Sequence, residues 1–148
     1  MNISSLSDLE KIAKKIQKQI FPGDSIFLYG EIGVGKTTFA RFLINNYELE
    51  NKKKKSEVLS PTFNILFEYH INNLQIKHYD LYRIKDKKDV NNLGVFENSE
   101  QCITLIEWPE LIDKKPLNRI DIFFKYSDDM EKRSLNIKST GRLAGYEF

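Results

Sequence analysis

The sequence predicts a single α/β domain with helices packed on a mixed, partly parallel sheet. Residues 25–29 and 102–106 are short, almost wholly apolar runs, which are typical of buried parallel strands. Apolar residues at helical spacing precede the first run at 7–19 and follow it at 36–47. The chain is short enough for one core and shows no internal repeat, so we expect residues 1–148 to form one domain.

The first predicted helix begins with the spacing of a capping box, from Ser7 to Glu10. Residues 21–24 contain proline and glycine and interrupt the helical period. The apolar residues that recur on one face of this helix are Leu6, Leu9, Ile12, Ala13, Ile16 and Ile20. This face is therefore expected to be buried against the sheet.

Two pairs of strand-like segments predict antiparallel additions to the sheet, because each pair is separated by a polar turn. The pairs are residues 63–70 with 76–82 and residues 120–126 with 133–138. Asn72 and Asn73 suit the turn of the first hairpin. Residues 86–92 are polar and predict a short helix.

The composition is that of an ordinary globular protein, with 41% hydrophobic and 30% charged residues. The 23 basic and 21 acidic side chains leave a net charge of +2, so any contact with nucleic acid must be local. The single cysteine, Cys102, excludes an internal disulfide, and the N-terminus lacks the apolar core of a secretory signal. No apolar run approaches the roughly 20 residues that span a bilayer. These features predict a cytoplasmic protein without a membrane contact.

Residues 30–38 match the phosphate-binding pattern G-x-x-x-x-G-K-[ST] between a predicted strand and a predicted helix. Glycines let backbone N–H groups approach phosphate oxygens, and the helix N-terminus adds a favourable dipole. The Lys36 ammonium is expected to reach the β- and γ-phosphates, and the Thr37 hydroxyl to ligate Mg²⁺. The motif therefore predicts a three-layer sandwich like that of P-loop NTPases. The residues expected to contact the nucleotide are Glu31, Ile32, Gly33, Val34, Gly35, Lys36, Thr37 and Thr38.

Phosphoryl chemistry also needs an acid near Mg²⁺, at the carboxyl end of a strand beside the loop. Glu107 ends the apolar run of residues 103–106, and Asp80 ends residues 76–79 in a similar way. Either carboxylate could hold a metal-bound or attacking water, and the alternative for each is an ordinary acid at a strand end. The sequence does not rank the two.

Residues 60–63, Ser-Pro-Thr-Phe, fit either the turn into a strand or a switch in which the Thr62 hydroxyl senses the γ-phosphate. Residues 118–121 have the ends of the guanine-reading pattern N-K-x-D without its lysine, which favours adenine. His70 and His78 lie on predicted strands with no third histidine or nearby cysteine, so they predict no metal site.

Five blocks occur in a recognisable order between residues 26 and 110. Two are H-Y-D-L-Y-R at 78–83 and L-I-E-W-P at 105–109; the others are the P-loop, residues 60–63, and Leu93-Gly94 with Glu97. Together they resemble the bacterial TsaE ATPases, which assist synthesis of threonylcarbamoyladenosine in tRNA. H-Y-D-L-Y-R and L-I-E-W-P are the specific blocks, because other P-loop classes do not carry them. The chain departs from the family at Asp89, where glutamate is expected, in its lysine-rich loop and in its short tail.

The resemblance implies ATP and Mg²⁺ as cofactors. It implies catalytic roles for Lys36, Glu107 and Asp80, and metal contacts from Thr37, Thr62 and Glu107. Trp108 would lie beside the nucleotide or at a partner surface, with simple core packing as the alternative. The resemblance further implies weak turnover by the chain alone and binding to the TsaD and TsaB subunits.

Two other functions share the P-loop. A small-molecule kinase needs an acceptor pocket and usually an arginine-bearing lid, whereas the five arginines here are dispersed and no insertion is as long as a lid. A nucleotide-sensing interaction module would differ from an ATPase only in rate and purpose. The basic run Lys52, Lys53, Lys54 and Lys55 is either a solvated loop or a local contact for tRNA. The sequence favours an accessory ATPase for tRNA modification.

Overall fold

The computed structural model describes all of residues 1–148. Its strands are β1 (Asn2–Ile3), β2 (Ser25–Tyr29), β3 (Leu66–Ile71), β4 (Leu74–Asp80), β5 (Cys102–Glu107), β6 (Arg119–Tyr126) and β7 (Arg133–Thr140). Its helices are α1 (Leu6–Gln17), α2 (Lys36–Glu50) and α3 (Lys87–Asn92). The seven strands form one sheet in the order β1-β7-β6-β2-β5-β4-β3.

The centre of this sheet is parallel and its edges are antiparallel. Strand β2 pairs in parallel with β5 and β6, and β4 pairs in parallel with β5. Strands β3, β7 and β1 are added antiparallel at the two edges. The predicted mixed, partly parallel sheet is therefore confirmed. Because neighbouring parallel strands end together, the carboxyl ends of β2, β5 and β4 meet at one edge of the sheet.

Alternating residues of β2 pack into different layers, which confirms the three-layer arrangement. Ile26 and Leu28 belong to the larger core, beneath α1 and α2. Phe27 packs on the opposite face with Ile106 and with Val90 of α3 in a smaller cluster. Complete burial of all three β2 residues explains why this strand reads as a continuous apolar run rather than as an alternating one.

Helix α1 begins one residue earlier than predicted, because its N-cap is Ser5 and not Ser7. The Asp8 amide donates to Ser5 Oγ at 3.2 Å, and the Ser5 amide donates to Asp8 Oδ2 at 3.1 Å. The capping box thus uses the earlier of two overlapping Ser-x-x-acid spacings. Placing Leu6 inside the helix leaves its side chain largely exposed near the phosphate loop.

The hairpin of β3 and β4 turns at Asn72 and Asn73, as predicted, and Asn72 has a left-handed φ of 54°. Strand β3 begins at Leu66 rather than near 63, because residues 62–64 form a turn. This turn is closed by the Ile65 amide, which donates to the carbonyl of Pro61. The two-residue strand β1 was not predicted, since so short a segment carries no period. None of the helices is both long and apolar enough to cross a membrane.

Candidate functional site

The segment between β2 and α2 turns sharply over the carboxyl edge of the sheet. Gly30, Gly33 and Gly35 have φ values of 146°, 77° and 121°, in the region that favours glycine. A Cβ atom on Gly30 would lie 2.9 Å from the backbone oxygen of Phe124 in β6. The glycine spacing in the motif is therefore required by the backbone as well as by a phosphate ligand.

Two side chains from the β6–β7 hairpin hold this loop. The Tyr126 hydroxyl donates to the carbonyl of Ile32 at 3.3 Å, and Arg133 Nε donates to the carbonyl of Val34 at 3.1 Å. Both bonds join residues more than 90 positions apart in the chain, so the sequence motif alone does not reveal them. They fix the loop on the side away from β5.

The Lys36 side chain lies back along the loop. Its ammonium donates to the carbonyls of Gly30 and Glu31 and lies 3.7 Å from the centre of the Trp108 ring. Burial lowers the pKa of Lys36, an effect that nearby carboxylates oppose. A partly desolvated ammonium interacts more strongly with an anion than a solvated one does. Glu31 contributes its backbone carbonyl here rather than its carboxylate.

Thr37 and Glu107 meet at the start of α2. Thr37 Oγ1 donates to Glu107 Oε1 at 2.9 Å and to Oε2 at 3.1 Å. Glu107 is the last residue of β5, and only 2% of it is exposed. On its other side, Glu107 Oε2 lies 2.7 Å from Nε2 of the completely buried His78. The predicted metal ligand from the loop and one of the predicted acids are therefore in contact.

Asp80 lies beside Glu107 but has different partners. The two residues are paired in register at the ends of β4 and β5. Ser60 Oγ donates to Asp80 Oδ2 at 2.7 Å and Thr62 Oγ1 donates to it at 2.9 Å, while the Tyr82 amide donates to Oδ1 at 2.9 Å. Asp80 therefore holds Thr62 at the lining of the same cleft as Thr37.

These residues line a cleft of about 310 Å³ above the sheet edge. Trp108 forms part of its wall, with a left-handed φ of 59° and its amide donating to the carbonyl of Leu28. Its ring lies 4.8 Å from that of Tyr82, between centres. The half-buried Trp108 lines the cleft and also packs against the smaller core cluster, so the alternatives for it stay open. The lining residues are Ile32, Gly33, Lys36, Thr37, Ser60, Thr62, Asp80, Tyr82, Glu107 and Trp108.

A second cleft of about 310 Å³ lies on the other side of the loop, between the start of α1 and β7. Gly33, Val34, Gly35 and Thr38 form its floor together with apolar side chains of α1. A smaller recess of about 120 Å³, bounded by the loop and Glu107, lies at Thr37. The phosphate loop thus borders three adjoining depressions.

The donor atoms at Thr37 fit Mg²⁺. A hydroxyl and a carboxylate lie together there, and Mg²⁺ prefers oxygen ligands, usually one or two from the protein with the rest from phosphate and water. Thr37 and Glu107 would hold the ion, and Thr62 lines the same cleft.

Sequence reasoning gave no role to two residues of this site: His78, which contacts Glu107, and Tyr82, which lines the cleft. Ser60, by contrast, lies in the predicted switch segment of residues 60–63. The sequence held one signal that His78 lies near the site. His78 and the predicted acid Asp80 are two positions apart on one strand, so their side chains share a face of the sheet. Nothing in the sequence indicates that the face would be shared with Glu107, because that depends on how β4 and β5 align.

Comparison with known proteins points to one family. Residues 3–135 match the model of TsaE, described as a threonylcarbamoyl adenosine biosynthesis protein. A Rickettsia felis protein named tRNA threonylcarbamoyladenosine biosynthesis protein TsaE is 37% identical over 74% of this chain, and the match covers only 62% of that relative's length. The Rickettsia bellii protein of the same name is 36% identical over 91% of both chains.

The fold agrees with this similarity. A crystal structure of Bacillus subtilis YdiB superposes with a TM-score of 0.73 at 27% sequence identity, covering 95% of this chain and 84% of that one. The family match extends over most of the chain, including the phosphate loop, Asp80 and Glu107. The chain belongs to the TsaE family of threonylcarbamoyladenosine biosynthesis proteins, which has the fold of P-loop NTPases.

Proposed function

We propose that this chain binds ATP with Mg²⁺ in the cleft and hydrolyses it, as an accessory to threonylcarbamoyladenosine modification of tRNA. One observation carries the proposal: the Thr37 hydroxyl of the phosphate loop contacts the buried carboxylate of Glu107. P-loop NTPases use this combination of a loop hydroxyl and a strand-end acid around the metal. A glycine-rich turn that only capped a helix would not need the acid.

The phosphate loop supplies the binding. Its inward-facing amides and the N-terminus of α2 attract the phosphate oxygens, and the Lys36 ammonium adds a point charge. Thr37 and Glu107 would hold Mg²⁺, and Thr62 lines the same cleft. When bound, Mg²⁺ neutralises negative charge on the phosphate oxygens.

Glu107 and Asp80 have different roles in the proposed hydrolysis. Glu107 orients the attacking water or a water on the metal, because its carboxylate is nearest to Thr37. Asp80 is the second acid of the site and orients the hydroxyls of Ser60 and Thr62 across the cleft. Replacing the Asp80 carboxylate should therefore lower the hydrolysis rate through those hydroxyls, whereas replacing the Glu107 carboxylate should lower it directly.

The adenine base belongs in the second cleft, between the phosphate loop and the start of α1. The apolar side chains of Leu6 and Leu9 suit one face of a purine, and Thr38 connects this cleft to the phosphate recess. Leu6 is largely exposed, so its side chain is accessible to a base in this cleft.

The proposed partners are the TsaD and TsaB subunits, which would bind the chain and act with it on tRNA. A partner that prefers the competent form of the site shifts its population toward that form. We therefore expect slow hydrolysis by the chain alone and faster hydrolysis with both subunits.

The test measures phosphate release from ATP with and without TsaD and TsaB, and screens the products for phosphorylated small molecules. The matched control is Lys36→Ala, which should be inactive in both conditions. Fast hydrolysis at a rate that does not depend on TsaD and TsaB would contradict the accessory role. A phosphorylated metabolite formed in proportion to the ATP consumed would favour the kinase alternative.

A further inference from the structure

His78 is a completely buried polar side chain that the proposed reaction does not yet use. It lies in the middle layer, at the fifth position of β4, and none of its surface is exposed. The surrounding strand residues Ile76, Ile103 and Leu105 are also completely buried and apolar. A leucine or isoleucine would fill such a position without any hydrogen-bonding requirement.

One ring nitrogen of His78 has a partner and the other has none. Nε2 lies 2.7 Å from Glu107 Oε2, whereas Nδ1 is buried without a hydrogen-bond partner in the protein. A buried polar atom without a partner destabilises a fold, so the imidazole is not explained by stability. Its only hydrogen bond to another side chain is to Glu107.

The direction of that bond follows from the acceptor. An ionised carboxylate only accepts hydrogen bonds, so Nε2 carries the hydrogen and donates it to Glu107. Thr37 donates to the same carboxylate from the side of α2. Two donors from different elements therefore fix the rotation of the Glu107 carboxylate at the end of β5.

We infer that His78 is a positioning residue, which holds the Glu107 carboxylate in the orientation needed at the metal and the attacking water. This inference rests on the proposed function, since it assigns a role toward Glu107 in the same reaction. Small errors in the placement of such a group lower the rate strongly while leaving substrate binding nearly intact. His78 does not itself line the cleft, and its side chain reaches the lining only at Glu107, so its effect passes through Glu107.

The central experiment compares His78→Gln with His78→Leu. The glutamine amide nitrogen can occupy the place of Nε2 and keep the donor, whereas leucine fills the space without one. With TsaD and TsaB present, we expect His78→Leu to lower kcat about tenfold or more while ATP affinity changes less than about threefold. His78→Gln should recover most of the lost rate. Equal losses in both variants would overturn the inference, because the donor would then be irrelevant.

The chain offers a matched control in its only other histidine. His70 lies exposed on the neighbouring strand β3, and His70→Leu should leave kcat and ATP affinity unchanged. A second readout does not depend on turnover: the Mg²⁺ concentration that half-saturates the gain in ATP affinity should rise about threefold or more in His78→Leu. An unchanged Mg²⁺ requirement together with an unchanged kcat would overturn the inference.

A spectroscopic measurement covers the case in which His78→Leu fails to fold. Long-range ¹H–¹⁵N spectra of the unaltered chain report which ring nitrogen carries the hydrogen, and His70→Leu assigns the two histidines. A hydrogen on Nε2 of His78 is expected, and a ring with hydrogen only on Nδ1 would overturn the inference. Absence of ATP hydrolysis by the unaltered chain with its subunits would instead contradict the proposed function, so the two failures are distinguishable.

Discussion

The two walls of the cleft are built in different ways. The first wall is the phosphate loop with Glu107, and regular elements hold it on every side: β2 before it, α2 after it, and Tyr126 and Arg133 from the β6–β7 hairpin. The second wall is formed by Ser60 and Thr62, which belong to a segment without helix or strand, residues 51–65. Near the cleft, it is held by side-chain hydrogen bonds: the hydroxyls of Ser60 and Thr62 donate to Asp80, and Arg83 donates to the carbonyl of Phe63.

Because the two walls are held differently, we expect the first wall to serve nucleotide binding and the second to respond to a partner. A wall fixed by long-range contacts keeps its binding geometry whether or not a partner is present, which suits phosphate recognition. A segment without regular structure, which side-chain hydrogen bonds hold near the cleft, suits a switch. Changes in the first wall should therefore affect nucleotide affinity or the chemical step, and changes in the second should affect mainly the rate in the presence of partners.

The largest effect is expected at Lys36 in the fixed wall. Lys36→Ala should lower ATP affinity by roughly 100-fold or more, because the phosphates lose their point charge and only backbone amides remain. Titration with a fluorescent ATP analogue measures this. The thermal unfolding midpoint without nucleotide serves as the control that the variant is folded. An unchanged dissociation constant would contradict the assignment of the phosphate loop.

The next effect is on hydrolysis at Glu107. Glu107→Gln should lower the hydrolysis rate by roughly 100-fold or more while ATP affinity stays within about tenfold, because shape is kept and charge is lost. Phosphate release and nucleotide titration measure the two quantities. Asp80→Asn is the matched variant on the neighbouring strand, with a smaller expected loss. If Asp80→Asn abolishes hydrolysis and Glu107→Gln does not, the roles of the two acids are reversed.

A smaller effect is expected in the second wall. Thr62→Val removes one hydroxyl from Asp80 while keeping the shape, and should lower partner-stimulated hydrolysis about tenfold with little change in ATP affinity. The rate measured without TsaD and TsaB should fall less than the stimulated rate. A large loss of ATP affinity in Thr62→Val would show that the second wall takes part in binding, and the distinction between the walls would fail.

The smallest effect on the nucleotide is expected from the lysine run at the start of the segment of residues 51–65. Helix α2 separates it from the phosphate loop by 15 residues, or about 22 Å. Replacing Lys52, Lys53, Lys54 and Lys55 with glutamine should therefore leave ATP affinity unchanged. Measured at several salt concentrations, tRNA association should weaken and lose up to about four charge contacts. Failure of the unaltered chain to bind tRNA at low salt would leave the run as a solvated loop.

Much of the fold was predictable because its signals are local. The apolar run at 25–29, the glycine-rich segment and the helix from Lys36 follow one another in the chain, so strand, loop and helix were found with nearly correct bounds. The boundaries that were wrong depended on competition between similar local signals. Ser5 and Ser7 both precede an acid by three residues, and only the packing of α1 selects Ser5.

In the candidate site, too, some residues follow from local sequence signals and others depend on the tertiary structure. Lys36 and Thr37 follow from a contiguous motif, and Glu107 and Asp80 follow from their places at the ends of apolar runs. Their roles remain predictions. What no single segment encodes is the alignment of β4 with β5, which sets Asp80 beside Glu107 and directs His78 to the same carboxylate.

The sequence by itself determined that a strand, a phosphate-binding loop and a helix would follow each other, because backbone conformation and apolar period are properties of neighbouring residues. Only the tertiary structure decided which distant groups meet: Tyr126 and Arg133 on the loop, Trp108 under the Lys36 ammonium, and His78 on Glu107. The physical reason is that strand order and register are set by burial of the whole sheet, and a shift of one residue would move every side chain to the other face.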